Sequence, residues 1–108
     1  MSDDALRADI WLWRARFFKS RSGAAKTIEE GRVRHRRDQA QTRLDKPARL
    51  LRPGDELVFA VGGRAFAVRV LALGSRRGPP AEARLLYVPL EETANDAPQQ
   101  PEPVQGGG

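Results

Sequence analysis

Cysteine is absent, so neither a disulfide framework nor a thiolate metal site is open to this chain, and nothing calls for an oxidising compartment. Histidine occurs once, as His35, without the closely spaced His, Cys or carboxylate partners that a metal ion needs. No cofactor is expected. No apolar run approaches the roughly 18 residues of a membrane-spanning helix. The opening Met1-Ser2-Asp3-Asp4 is acidic, the opposite of a targeting segment. A cytosolic protein with no membrane partner is therefore expected. Lysine is scarce as well: nearly all of the 19 cationic residues are arginine, whose planar fork suits bidentate phosphate contacts.

With 108 residues, 40% of them hydrophobic, the chain can form one modest domain. The net charge of +5 is unevenly placed. Residues 1–52 hold fourteen basic and seven acidic side chains, and residues 53–108 hold five and seven. Between residues 14 and 37, nine basic residues face only Glu29 and Glu30. A merely solubilising surface would intersperse the signs. The crowding points to a polyanionic partner. From Glu91 onward there are four acids, no basic residue and many Pro, Gln and Gly, so 91–108 is expected to be a disordered acidic tail.

Ala8, Trp11, Leu12 and Ala15 recur at helical spacing, which predicts a first helix over about 6–17, capped by Ser2, Asp3 or Asp4. On it Arg7 and Arg14 share a flank, while Ile10 and Trp13 point away from the apolar stripe. Trp11 reads as a core anchor. Trp13 either packs beneath Leu85-Leu86-Tyr87, the preferred reading, or lies exposed where a base can stack for ~1–3 kcal/mol. Ser20 is an N-cap and Gly31 a C-terminal glycine for a second helix over 21–30, whose apolar stripe is Ala24, Ala25 and Ile28.

Residues 32–36 alternate, placing Val33 and a half-buried His35 on one side and Arg32, Arg34 and Arg36 on the other. Pro53-Gly54 predicts a type II turn. Leu57, Phe59 and Val61 then lead into the hairpin turn Gly62-Gly63, with a return strand from Arg64 to about Leu73. That register opposes Phe59 to Phe66 and Leu57 to Val68. The expected fold is α+β, two short N-terminal helices packed on a small, mostly antiparallel sheet.

The ordered series Arg7-Ala8-Asp9, Trp11-Leu12-Trp13, Ala15-Arg16-Phe17, Ser20-Arg21-Ser22, Ile28, Gly31-Arg32-Val33, Lys46-Pro47 and Pro53-Gly54-Asp55 resembles the S-four-type RNA-binding domain. Arg77-Gly78-Pro79, Glu82-Ala83 and Leu86-Tyr87 extend the likeness to the heat-shock protein 15 family. The resemblance divides the chain into a flexible N-terminus (1–6), the RNA-binding domain (7–73), a C-terminal segment packing on it (74–90) and the acidic tail (91–108). The chain departs from the family pattern at Ala8, usually Leu, and at Ile10, commonly Lys. Arg36-Arg37 stand where an Asn-Gly turn is usual, and the tail replaces a basic helical extension.

The resemblance implies a protein that binds structured RNA, namely ribosomal RNA of the large subunit, on dissociated subunits still carrying a nascent chain on transfer RNA; a monomer is expected. The candidate RNA contacts are Arg7, Arg14, Arg16, Lys19, Ser20, Arg21, Lys26, Arg32, Arg34, Arg36, Arg37 and Lys46. Two other readings stay open: a general regulator binding transfer or messenger RNA, and an adaptor whose basic face meets an acidic protein. Catalysis is not expected, because Ser20 has no base in view and Asp9 lies on a different helix from Glu29 and Glu30.

Overall fold

Ala8, Trp11, Leu12 and Ala15 are all buried, as the helical stripe requires, by helix α1 (Ala8–Arg14) and its C-cap Ala15. The helix is shorter than its periodicity predicts, because both of its ends are claimed by other structure. Leu6 and Arg7 are extended and form strand β1 (Leu6–Arg7) against Leu51 and Leu50. The cap position is therefore held by Arg7, with no side-chain cap bond, and not by Asp4. Arg7 shares no helix flank with Arg14. At the far end Arg16 adopts a φ of +67°, which no α-helix continues through.

The computed structural model describes residues 4–90. The expected acidic tail, 91–108, and the proposed caps Ser2 and Asp3 lie outside the described residues.

Helix α2 (Arg21–Glu29) forms where its signals place it. The Ser20 hydroxyl accepts from the Gly23 N–H at 3.0 Å, Ala24 and Ile28 are buried, and Gly31 leaves the helix at φ +76°.

Strand β2 (Val33–Arg37) follows, and its alternation differs from the expected one at both ends. Arg32 precedes the strand, and Arg37 falls on the side of Val33 and His35. His35 is fully buried, not half-buried, because it meets the buried Asp55. The turn after β2 is Asp38-Gln39, at φ +53° and +69°, and not Arg36-Arg37. It leads into strand β3 (Ala40–Leu44). Only Leu44 of β3 is buried, so the strand shows no hydrophobic alternation for a sequence reading to detect.

Strand β4 (Leu50–Leu51) partners β1, and the type II turn follows, with Gly54 at φ +99° and the Asp55 N–H donating to the Arg52 carbonyl at 3.0 Å. Strands β5 (Glu56–Val61) and β6 (Arg64–Val70) form the Gly62-Gly63 hairpin with Phe59 opposite Phe66 and Leu57 opposite Val68. Strand β6 ends three residues short of Leu73. The next segment turns away through helix α3 (Pro80–Ala83) and a 3-10 turn (Arg84–Leu86), then returns as strand β7 (Tyr87–Pro89) beside β6.

The main sheet runs β3-β2-β5-β6-β7 and is antiparallel throughout. The fold is α+β with a mostly antiparallel sheet. One face buries Val33, Leu57, Phe59, Val68 and Val70 together with Trp11, Leu12 and Ile28. Phe17 enters this core from the α1–α2 connection, its ring 4.7 Å from Tyr87 and 5.0 Å from Phe59. The opposite face exposes Arg34, Ala60, Ala65 and Arg69.

Candidate nucleic-acid interface

The cationic residues divide according to what the fold brings beside them. Arg7 forms a two-point ion pair with buried Asp9, at 3.0 and 3.1 Å. Arg14 donates to the carbonyls of Leu73 and Gly74, and Arg16 to that of Gly78 at 2.6 Å. In return Arg77 donates to the carbonyls of Trp13 and Phe18, and its guanidinium lies 5.9 Å from the centre of the Trp13 ring. These three arginines staple the stretch 73–78 to the end of α1. They satisfy carbonyls that the helix end and the irregular loop leave open. Trp13 is accordingly half-buried beneath a cation.

On β2, Arg36 bonds to Glu56, whose other oxygen accepts from Arg69 at 2.9 Å. Burial alone would raise the Glu56 carboxyl, but the hydrogen bonds from Arg69 and Arg36 outweigh it and hold the group below its ordinary range. Arg37 grips Asp55 with two bonds of 2.7 and 2.8 Å, His35 Nε2 lies 3.0 Å from the same carboxylate, and the Arg52 N–H donates to it at 3.0 Å. Burial pushes the Asp55 carboxyl up, and the bonds from Arg37, His35 and Arg52 more than reverse that. Arg32 makes only an exposed 3.4 Å pair with Glu30.

Seven of the twelve candidate residues are thus engaged within the chain: Arg7, Arg14, Arg16, Ser20, Arg32, Arg36 and Arg37. Lys19, Arg21, Lys26, Arg34 and Lys46 are exposed and have no acidic partner among the described residues. Lys19 and Arg21 flank the N-terminal end of α2, where open backbone N–H groups add to the positive potential. Lys26 lies further along the same helix, Arg34 on the uncovered sheet face, and Lys46 in the loop between β3 and β4. At about 1.5 Å per residue, the nine residues of α2 separate its two ends by about 13 Å. That is a reach of several phosphates along a nucleic-acid backbone.

The sequence reading passed over Arg43, which stands directly opposite Arg34 in the β2–β3 ladder. Only the pairing of β3 reveals it. Among the described residues no helix is long and apolar enough to cross a membrane.

Comparison with known proteins sets this geometry in a family context. The S4 domain family matches residues 6–34, from β1 through α2 into β2. A heat shock protein 15 homolog of Haemophilus influenzae is 33% identical over 93 residues, which cover 86% of this chain and 67% of the relative. Heat shock protein 15 of Escherichia coli is 37% identical over 89 residues, covering 82% of this chain and 61% of the relative. Among solved structures, heat shock protein 15 of Vibrio cholerae, described as trimeric, superposes with a TM-score of 0.75 at 26% identity, covering 86% of this chain and 89% of the other.

Proposed function

We propose a function that proceeds from one premise: the chain belongs to the heat shock protein 15 family. Its work is to bind RNA, not to catalyse a reaction. The ligand is structured RNA, specifically ribosomal RNA of the large subunit, and the setting is the recycling of dissociated subunits that still carry a nascent chain on transfer RNA. The observation that carries the RNA-binding reading is the exposure of Lys19, Arg21, Lys26 and Arg34, without acidic partners among the described residues, on or beside elements packed on the core. Because the backbone beneath them is already folded, only side-chain freedom is lost on meeting phosphates that a folded RNA holds at fixed spacing. Such contacts read shape and position, not base sequence.

The five candidate cations without an acidic partner among the described residues imply a log-log slope of affinity against salt on the order of −4 for duplex RNA. Replacing Lys19, Arg21 and Lys26 together by Ala should weaken binding about tenfold to a hundredfold and flatten that slope by about 2–3. The melting temperature should stay within about 2–4 °C of wild type, because exposed charges contribute little to stability. Filter binding across a salt series and a thermal melt measure both. A slope near −1, or unfolding of the triple variant, would remove the electrostatic model.

Sucrose-gradient sedimentation tests the ribosomal part. The protein should travel with large subunits, more so with those that retain nascent chain and transfer RNA, and free messenger RNA should compete poorly. Remaining at the top of the gradient in low salt would favour the general RNA-binding regulator. Complexes that survive ribonuclease would favour the adaptor. The binding unit in this reading is one chain, a monomer, and light scattering in solution decides between that and the trimeric state described for the Vibrio cholerae relative.

A further inference from the structure

The β2–β3 hairpin places two arginines where electrostatics alone would not. Arg34 and Arg43 are direct partners in the antiparallel register. Residues so opposed have Cβ atoms about 4.5–5.5 Å apart, and like charges there are destabilising. Neither has an acidic partner among the described residues, and Glu56, the carboxylate of the neighbouring strand on that sheet face, is already held between Arg36 and Arg69.

We propose that Arg34 and Arg43 form a phosphate clamp for a single RNA strand laid across the uncovered face of the sheet, a contact surface separate from helix α2. The proposal rests on the RNA-binding reading above and adds a second site to it.

The position of Arg43 is built into the fold. Its side chain crosses Gly31, where an added Cβ would sit 3.1 Å from Cδ and 3.6 Å from Nε and Nη1. Glycine therefore serves twice at residue 31, for the positive φ and for the passage of this side chain. The guanidinium is thereby brought to the C-terminal end of α2, whose partial negative charge favours a cation. The Arg43 guanidinium is exposed with donors to spare, and a phosphate oxygen is the acceptor that would relieve its repulsion with Arg34.

Beside the pair runs a shallow groove of about 290 Å³, lined by Gly31, Arg32, Arg34, Val58, Ala60 and Ala65. Ala60 and Ala65 oppose each other and are exposed, so the floor is a flat apolar shelf with the cations along one rim. Its volume lies at the lower limit of pockets that hold small molecules, about 300–1,000 Å³. A single strand can lay one unstacked base on this shelf with its phosphate on the arginines, a contact that the paired and stacked bases of a duplex do not offer.

The test compares two RNAs, a blunt hairpin and the same hairpin with a single-stranded overhang, against wild type, Arg43→Gln and the double variant Arg34→Gln/Arg43→Gln. Wild type should bind the overhang RNA about tenfold more tightly, with a salt slope steeper by about 1–2 for the added phosphate contacts. Arg43→Gln should lose that advantage while binding the blunt hairpin as wild type does, and the double variant should lose it too while binding the blunt hairpin a few-fold more weakly, because Arg34 also belongs to the first surface. The clamp is overturned if the overhang adds nothing for wild type, or if Arg43→Gln loses affinity for both RNAs equally. Failure of wild type to bind either RNA would overturn the RNA-binding reading itself, and the clamp with it.

Discussion

Replacing Trp11 with Ala is expected to destabilise the protein by about 3–5 kcal/mol, enough to unfold a domain of this size. The indole is fully buried among α1, α2 and the sheet, with Phe17 at 6.3 Å between ring centres. Its Nε1–H also donates to the Ala72 carbonyl at 2.9 Å, just where the chain leaves β6 and stops pairing. Truncation therefore opens a cavity and removes the bond that ties the chain beyond β6 to α1. Trp13→Ala should cost distinctly less. That ring is only half-buried, and its clearest loss is the contact with Arg77, worth about 0.5–2 kcal/mol for a cation over an aromatic face. Urea unfolding of the two variants measures the difference, and equal losses would contradict this division of labour on α1.

Removing the Asp55 carboxylate is the second large change. In Asp55→Ala, His35 and the Arg52 N–H lose their acceptor in a buried setting, and Arg37 loses both of its bonds to a carboxylate. Deleting one partner of a buried charged network costs about 3–5 kcal/mol. Asp55→Asn should fall between Ala and wild type, because one oxygen still accepts.

The same group gives the fold an acid limit. The folded-state pKa of Asp55 lies below its ordinary value, so its contribution is complete above the unfolded-state pKa of about 3.9 and fades as pH falls through the lower folded value. The melting temperature of wild type should therefore drop more steeply below about pH 4 than that of Asp55→Asn. Parallel curves would show that Asp55 contributes no pH-dependent stability.

The candidate RNA interface was only partly legible. Ser20 and Gly31 mark out α2 through capping rules that act within a few residues, and that helix sets where Lys19, Arg21 and Lys26 lie. Arg36 and Arg37 read equally well as free cations, yet Glu56 and Asp55 reach them from 20 and 18 residues away. Arg14 and Arg16 meet carbonyls 59 to 62 positions distant. A charged residue carries no local mark of whether tertiary structure will bring it a partner.

What the amino-acid sequence determined by itself is whatever short-range physics controls. The paired glycines and the alternation around them set the β5–β6 register to the residue, the 8/11/12/15 stripe set the buried face of α1, and composition set the charge asymmetry of the chain. Tertiary structure alone decided the rest. Leu6 and Arg7 became strand and not helix because Leu50 and Leu51 were there to pair with them. Strand β3 formed with only one buried residue because β2 offered it a ladder, and that ladder set Arg43 against Arg34. Backbone hydrogen bonding between distant segments is satisfied by almost any side chain, so it leaves little trace in the residues that it orders.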